Sequence, residues 1–260
     1  MMTCFNHLGH QPGFSLMDHV DIYGAGILHG EKNAAIQSVH RSPSTRYVRV
    51  THSNHNGYDY IAPRGEFQVT RNEISINNGY GFGGLVLNGD SNYENMQASF
   101  YPLVESTIPY NVFGLVRMCT SEKLIHVRTR LLLYFKYDFQ TIDCLKIIRS
   151  REPNRRIALR LLQFNMYSDQ YYENALELYN GEYFSPDMMI VKLNATVNGD
   201  LVAKRRPYKT LEGYDTMGIR ITASAAYGDY GFIADIVTLP YSGGGLPNLG
   251  TFCVKQFRQF

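Results

Sequence analysis

Tryptophan is absent from the 260-residue chain, and charge is sparse, with Asp, Glu, Lys and Arg making up 18% of it. The 25 basic and 23 acidic side chains nearly cancel, so no basic field stands ready for nucleic acid. The densest basic groups, Arg149/Arg151/Arg155/Arg156 and Lys204-Arg205-Arg206, are short and mixed with acids, as solvated faces are. Cysteine is scarce as well. Cys4, Cys119, Cys144 and Cys253 lie far apart, mostly in apolar runs, and read as small buried hydrophobes rather than a disulfide framework. No apolar stretch approaches the ~20 residues of a membrane helix, and the first residues lack the basic and apolar regions of a secretion signal. The expected setting is a reducing cytoplasm. There the sequon Asn194-Ala195-Thr196 is a chance match.

Catalytic patterns are missing too. No Gly-x-Ser-x-Gly elbow occurs, Ser224 and Ser242 have no His near them in sequence, and no carboxylate pair stands out as an acid/base couple. No catalytic residue is assigned, and the chain is expected not to be an enzyme. Gly79-Tyr80-Gly81-Phe82-Gly83-Gly84 fits a dinucleotide fingerprint by letter, but the residues after it read as strand and turn rather than helix. A glycine-rich bend between strands is expected, with no cofactor-binding residue assigned. His7, His10, His19, His29, His40, His52 and His55 crowd the N-terminal fifth. Cys4/His7/His10 and His52/His55 have ligand-like spacing, yet no matching pair follows downstream, so no metal site is expected.

What the chain has is tyrosine: 20 Tyr and 14 Phe. Tyr carries a large apolar face and one hydroxyl, and it buries well in contacts that stay partly wet. Seventeen basic residues are Arg, which stays protonated in strong alkali, whereas Tyr and Lys titrate near pH ~10. With every Tyr and Lys deprotonated, 17 Arg face 23 acids and 20 Tyr, a formal charge of −26 before counting thiols. A body held by Tyr contacts would be pushed apart there.

Residues 1–45 read as a helical N-terminal arm. Ser15 and Asp18 form a capping box, with Leu16, Val20 and Tyr23 at helical spacing, and a second piece runs from about Glu31 to Val39. From Arg46 the pattern alternates, punctuated by the hairpin signals Asn56-Gly57, Asn78-Gly79, Asn88-Gly89 and Asn198-Gly199. Leu131–Phe135 is apolar on both faces and belongs in the centre of a sheet. Helices are expected from Asn154 to about Phe164 and from Ser168 to Asn180-Gly181, the latter carrying Tyr171, Tyr172, Ala175, Leu178 and Tyr179. The fold expected is therefore mainly β. Residues 46–260 would form one antiparallel two-sheet β-sandwich, jelly-roll-like, with a helical insertion at about 154–180.

This layout resembles the cypovirus polyhedrins. The likeness rests on size, Tyr content, the arm, the run Leu131–Phe135 continuing to Phe139-Gln140-Thr141-Ile142, and the stretch from Met217-Gly218-Ile219-Arg220-Ile221 to Ile236–Tyr241. The resemblance implies a viral occlusion-body protein. It would form trimers that pack into a cytoplasmic crystal of the infected cell, embed virus particles and dissolve at alkaline pH. Its partners would be itself and virions, with no membrane and no specific nucleic acid. No cofactor would be required, although bound nucleotides are known in that family. The release residues would be among the clustered tyrosines Tyr58/Tyr60, Tyr134/Tyr137, Tyr171/Tyr172 and Tyr227/Tyr230. A jelly-roll capsid or coat protein shares the strand pattern, though residues 1–45 lack its basic arm. A β-sandwich enzyme or carbohydrate-binding module is the third reading.

Overall fold

The computed structural model describes residues 15–28, 31–32, 34–40, 42–63, 69–75, 77–79, 81–85, 100–101, 115–137, 139–226 and 230–241. Within them the chain is nearly all strand. The regular elements there other than strands are one six-residue helix, α1 (Gly199–Lys204), and a single 3-10 turn at Pro186–Met188.

The N-terminal part winds. Strands β1 (Leu16–Tyr23), β5 (Ser44–Thr51), β8 (Asn72–Ser75) and β10 (Phe100–Tyr101) lie side by side in parallel, with β7 (Val69–Thr70) also on β5. β4 (Ile36–Val39), β6 (Tyr58–Ile61) and β9 (Phe82–Leu85) make a second parallel sheet. Between β1 and β4, β2 (Ile27–Leu28) and β3 (Glu31–Lys32) form a small antiparallel hairpin. Leu16 pairs with Ser44, and Val50 with Ile74. In the second sheet Ile36 pairs with Tyr58, and Tyr58 in turn with Phe82. The chain thus returns to the same place once per turn, the stacked-coil arrangement of a β-solenoid. Val48, Val50 and Ile74 from one sheet meet Tyr58, Tyr60 and Phe82 from the other in the coil interior.

Residues 115–240 instead form two antiparallel-dominated sheets. One is ordered β11 (Leu115–Arg117), β13 (Arg130–Lys136), β20 (Gly231–Pro240), β15 (Arg155–Asn165), β18 (Tyr208–Lys209). The other is ordered β12 (Leu124–Val127), β14 (Ile142–Ser150), β19 (Thr216–Ala223), β16 (Ala175–Asn180), β17 (Met189–Asn194). Leu131, Leu133 and Phe135 from the first meet Leu176, Leu178, Ile219 and Ile221 from the second in one core. The first sheet is covered on its other face too. Leu132, Leu162 and Ile233 pack against Ile61, Ala62 and Leu85 of the coils. The two parts therefore share buried surface, each full aliphatic side chain in it contributing about 2 kcal/mol.

These findings overturn the expectation of a single antiparallel sandwich with a helical arm. The arm at Leu16–Tyr23 is a strand because Val20 and Ile22 alternate with Asp21 and Tyr23 and cover the coil interior. Residues 155–165 are the strand β15. Ile157, Leu159 and Leu161 face the core with period two, and a bulge between Leu161 and Gln163 returns Phe164 to the same side. That bulge makes 157, 161 and 164 mimic helical spacing. In β16, Leu176 and Leu178 point into the core and Tyr179 to the opposite face, again with period two.

The Asn-Gly pairs are not hairpins either. Asn56-Gly57 and Asn78-Gly79 lie between parallel strands, and their glycines serve close packing. A Cβ on Gly57 would stand 2.3 Å from Ile74 Cγ2, and one on Gly79 2.6 Å from His55 Nδ1. Asn198 instead starts α1, its side chain accepting the Leu201 N–H. Asn88-Gly89 lies outside the described residues.

Cys119 and Cys144 form a disulfide, with Cα atoms 5.5 Å apart. This corrects the expectation of unbridged cysteines, since the segment around Thr120–Glu122 folds against β14 and brings together two residues 25 apart in sequence. Beside it, the fully buried Lys146 donates to Thr120 Oγ1 and to the Glu122 carbonyl, each at 2.6 Å. Burial holds its ammonium below the usual lysine range.

Candidate interaction face

Left-handed backbone recurs at matching places on successive coils. His19 (φ 51°), Tyr47 (φ 53°) and Arg71 (φ 52°) occupy one outer corner, each one turn of the chain beyond the last. A second corner holds Gly24 (φ 64°) and His52 (φ 57°), and a third His40 (φ 67°) and Ala62 (φ 45°). Each non-glycine left-handed residue costs about 1 kcal/mol. At the first corner the kink turns three long side chains outward, one above the next. The His19 and Tyr47 rings stack at 4.6 Å, and the Arg71 guanidinium lies over the Tyr47 ring at 5.4 Å while donating to its hydroxyl. Tyr23 and His52 pair at 4.6 Å at the neighbouring strand ends. All five are exposed, Tyr23 to 75%.

Charges frame this ladder. Arg46 donates twice to Asp18, and its guanidinium holds the Asp18 carboxyl below the usual range. Arg49 faces Glu73 at 3.7 Å. Behind the corner, Asn72 replaces the backbone bond that the kink interrupts, accepting the buried Val48 N–H at 3.0 Å and donating to Thr45. The interior thus clamps the strained corner.

Two further polar groups stand apart. Asp59 is buried on β6, accepts from Asn56 Nδ2 at 2.9 Å, and is pushed up to about 6 by burial. On the outer face of the second sheet, Asp143, Arg220, Glu177 and Lys192 link β14, β19, β16 and β17 through cross-strand ion pairs. Tyr179 adds a hydrogen bond to Glu177 at 2.7 Å.

The tyrosines singled out from sequence are scattered. Tyr58 and Tyr60 stack at 4.4 Å inside the coils, where burial raises the Tyr58 hydroxyl to about 12 and Tyr60 well above its ordinary value. Tyr134 packs with the Ile61 cluster, whereas Tyr137 lies in the core between the antiparallel sheets. Tyr137 meets Tyr230 edge-on at 6.0 Å and is likewise raised by burial. Tyr171 is 90% exposed and Tyr172 half-buried, their N–H groups sharing Asp169. Tyr227 lies outside the described residues. Gly79 sits in a turn and Phe82–Leu85 form a strand. Among the described residues, no three His, Cys, Asp or Glu converge on a metal-sized site, and Cys4, His7 and His10 are not among them. No helix there is long and apolar enough to cross a membrane. The ladder of His19, Tyr47 and Arg71 escaped sequence reading because neither the winding period nor a positive φ at a non-glycine residue leaves a local signal.

No family model matches the chain. It is 34% identical over 233 residues to Protein bark beetle of Drosophila melanogaster, a match spanning 88% of this chain and 7% of that protein. Among solved structures it is similar to the CUB1-EGF-CUB2 domains of rat MASP-1, at 12% identity and a TM-score of 0.33, covering 45% of this chain and 42% of that one. It is also similar to the enzymatically active domain of bacteriophage CBA120 tailspike protein 4, at 10% identity and a TM-score of 0.23, covering 86% and 43%. The animal relative overturns the resemblance to cypovirus polyhedrins. With it fall the occlusion body in an infected cytoplasm, the trimeric crystal and its alkaline dissolution, and the capsid alternative. The resemblance had rested on strand runs that any β protein of this size can carry.

Proposed function

We propose that the chain is a disulfide-stabilised, non-catalytic module of a larger protein that works outside the reducing cytosol and binds a protein partner through the His19–Tyr47–Arg71 ladder. The carrying observation is the alignment of three left-handed residues at one corner. Strained backbone that interior contacts over-determine points toward use, and exposed Tyr and Arg are side chains that dominate protein interfaces. The Cys119–Cys144 bridge supports the compartment, because such bonds persist where thiols are oxidised. The match to 7% of a far longer relative supports a modular role. This reading needs no cofactor.

The test compares the secreted chain with a variant carrying Tyr23→Ser, Tyr47→Asn and Arg71→Asn, in which Asn tolerates the left-handed corner. Both are applied to intact cultured animal cells. The expected result is saturable binding that surface proteolysis abolishes, with an affinity at least tenfold weaker for the variant at unchanged Tm. Equal binding by wild type and variant would overturn the ladder as the contact surface.

A further inference from the structure

The turn after β17 holds Asn194-Ala195-Thr196 in a conformation that sorts its side chains. Ala195 and Val197 pack against the core between the antiparallel sheets, while Thr196 is exposed. Asn194 Oδ1 accepts both the Thr196 N–H at 3.2 Å and the Thr196 hydroxyl at 2.6 Å. The Asn194 carbonyl accepts the Val197 N–H at 3.1 Å, closing the turn. Both side-chain bonds fall on the carboxamide oxygen, and the nitrogen Nδ2 stands outside them. β17 is moreover the outer strand of its sheet, so a bulky group there meets solvent rather than a neighbouring strand.

We propose that Asn194 carries an N-linked glycan. The inference rests on the reading above that the chain passes through an oxidising, secretory compartment. The chemistry needs a lipid diphosphate-linked oligosaccharide as donor. Asn194 Nδ2 forms a bond to the anomeric carbon, the bond from that carbon to the diphosphate oxygen breaks, the lipid diphosphate leaves, and Nδ2 gives up one proton. Thr196 supplies the hydroxyl that makes the triplet an acceptor. The glycan stands at the Lys192 end of the cross-strand charge row, since Ala175 pairs with Asn194 and Glu177 with Lys192. It shields an edge that could otherwise recruit another strand. The ring ladder lies on the coils, in the other part of the molecule, and remains open to a partner.

The full chain, secreted from insect cells behind an added leader, tests this by intact mass before and after peptide N-glycosidase, with non-reducing peptide maps of the same sample. The expected result is a mass drop on treatment for wild type and Thr196→Ser, and none for Asn194→Gln or Thr196→Ala. Secreted chain with the bare polypeptide mass and an intact Cys119–Cys144 bridge would overturn the glycan while leaving the compartment reading in place. Bare chain with both thiols free would overturn the two together. A glycosidase-sensitive mass on chain whose Cys119 and Cys144 are free would support the glycan and overturn only the bridge argument.

Discussion

The Asn72 carboxamide accepts the Val48 N–H at 3.0 Å, one residue past the left-handed Tyr47 on the neighbouring coil. Kinking β5 at Tyr47 lifts that N–H out of the ladder, and it is buried, so a side chain from the next turn must satisfy it. Asn does this while its other end donates to Thr45 at 2.9 Å. Asn72→Ala leaves the buried Val48 N–H without its partner and removes one bond to Thr45, and it should cost about 2 to 3 kcal/mol in urea unfolding. Asn72→Asp keeps the acceptor and should cost less at acid pH, where it is protonated, than at pH ~8.

Asp59 makes the coils sensitive to pH between about 4 and 6. Its folded value of about 6, set by burial against the Asn56 bond and the His55 charge, lies above the unfolded 3.8. The native state therefore holds a proton that the unfolded chain has released. The resulting stability is fully present below pH ~4 and is lost as pH rises through 6, at a cost of about 3 kcal/mol. Asp59→Asn keeps the acceptor for Asn56 and should raise the urea midpoint at pH ~8 while leaving it unchanged at pH ~4. Equal midpoint shifts at both pH values would show that the carboxylate is not the cause.

Tyr58 and Tyr60 give the coils an alkaline limit of their own. An unfolded chain ionises tyrosine near pH ~10, whereas burial keeps Tyr58 neutral to about 12 and raises Tyr60 well above its ordinary value. Above pH ~10 the unfolded state sheds protons that the folded state keeps, so stability falls by about 1 kcal/mol per pH unit for each such group. The variant Tyr58→Phe should unfold with a shallower pH dependence between 10 and 12 than wild type. Its loss of the hydroxyl contact with Tyr60 lowers stability equally at all pH values below that window.

The strand character was legible where alternation was clean. Leu131–Phe135 is not the central strand of its sheet but lies one in from the edge, paired between β11 and β20, with side chains packed on both faces as its unbroken apolar run required. Pairing direction was not legible, because alternation looks the same whether a neighbour runs parallel or antiparallel. The coils also return at unequal intervals. Leu16 meets Ser44, Val50 meets Ile74 and Ile36 meets Tyr58, and the repeat Val20 to Val48 is too isolated to betray the winding. Asn56-Gly57 misled because its glycine leaves room for Ile74, whose Cγ2 an added Cβ would meet at 2.3 Å, a constraint invisible in sequence. Cys119 and Cys144 lay in separate apolar runs, and only the folding of β14 beside the 119–122 segment joins them.

That segment is held twice, and the two restraints should be coupled. The bridge closes 25 residues, which in a chain-entropy account is worth about 3 kcal/mol. Two residues beyond Cys144, Lys146 reaches the same segment through Thr120 and Glu122. Replacing Lys146 by Met removes an ammonium whose burial is unfavourable, and the bridge keeps the segment in place. In the bridged protein the change should therefore cost less than about 1 kcal/mol. In a Cys119→Ser/Cys144→Ser background the lysine is the remaining side-chain tie from β14 to Thr120 and Glu122, so the same replacement should cost at least about 1 kcal/mol more. A four-way urea unfolding cycle at pH ~7 measures the difference directly. Additive costs would mean that the lysine and the disulfide hold the segment independently, and Lys146 would then be a core residue unrelated to the bridge.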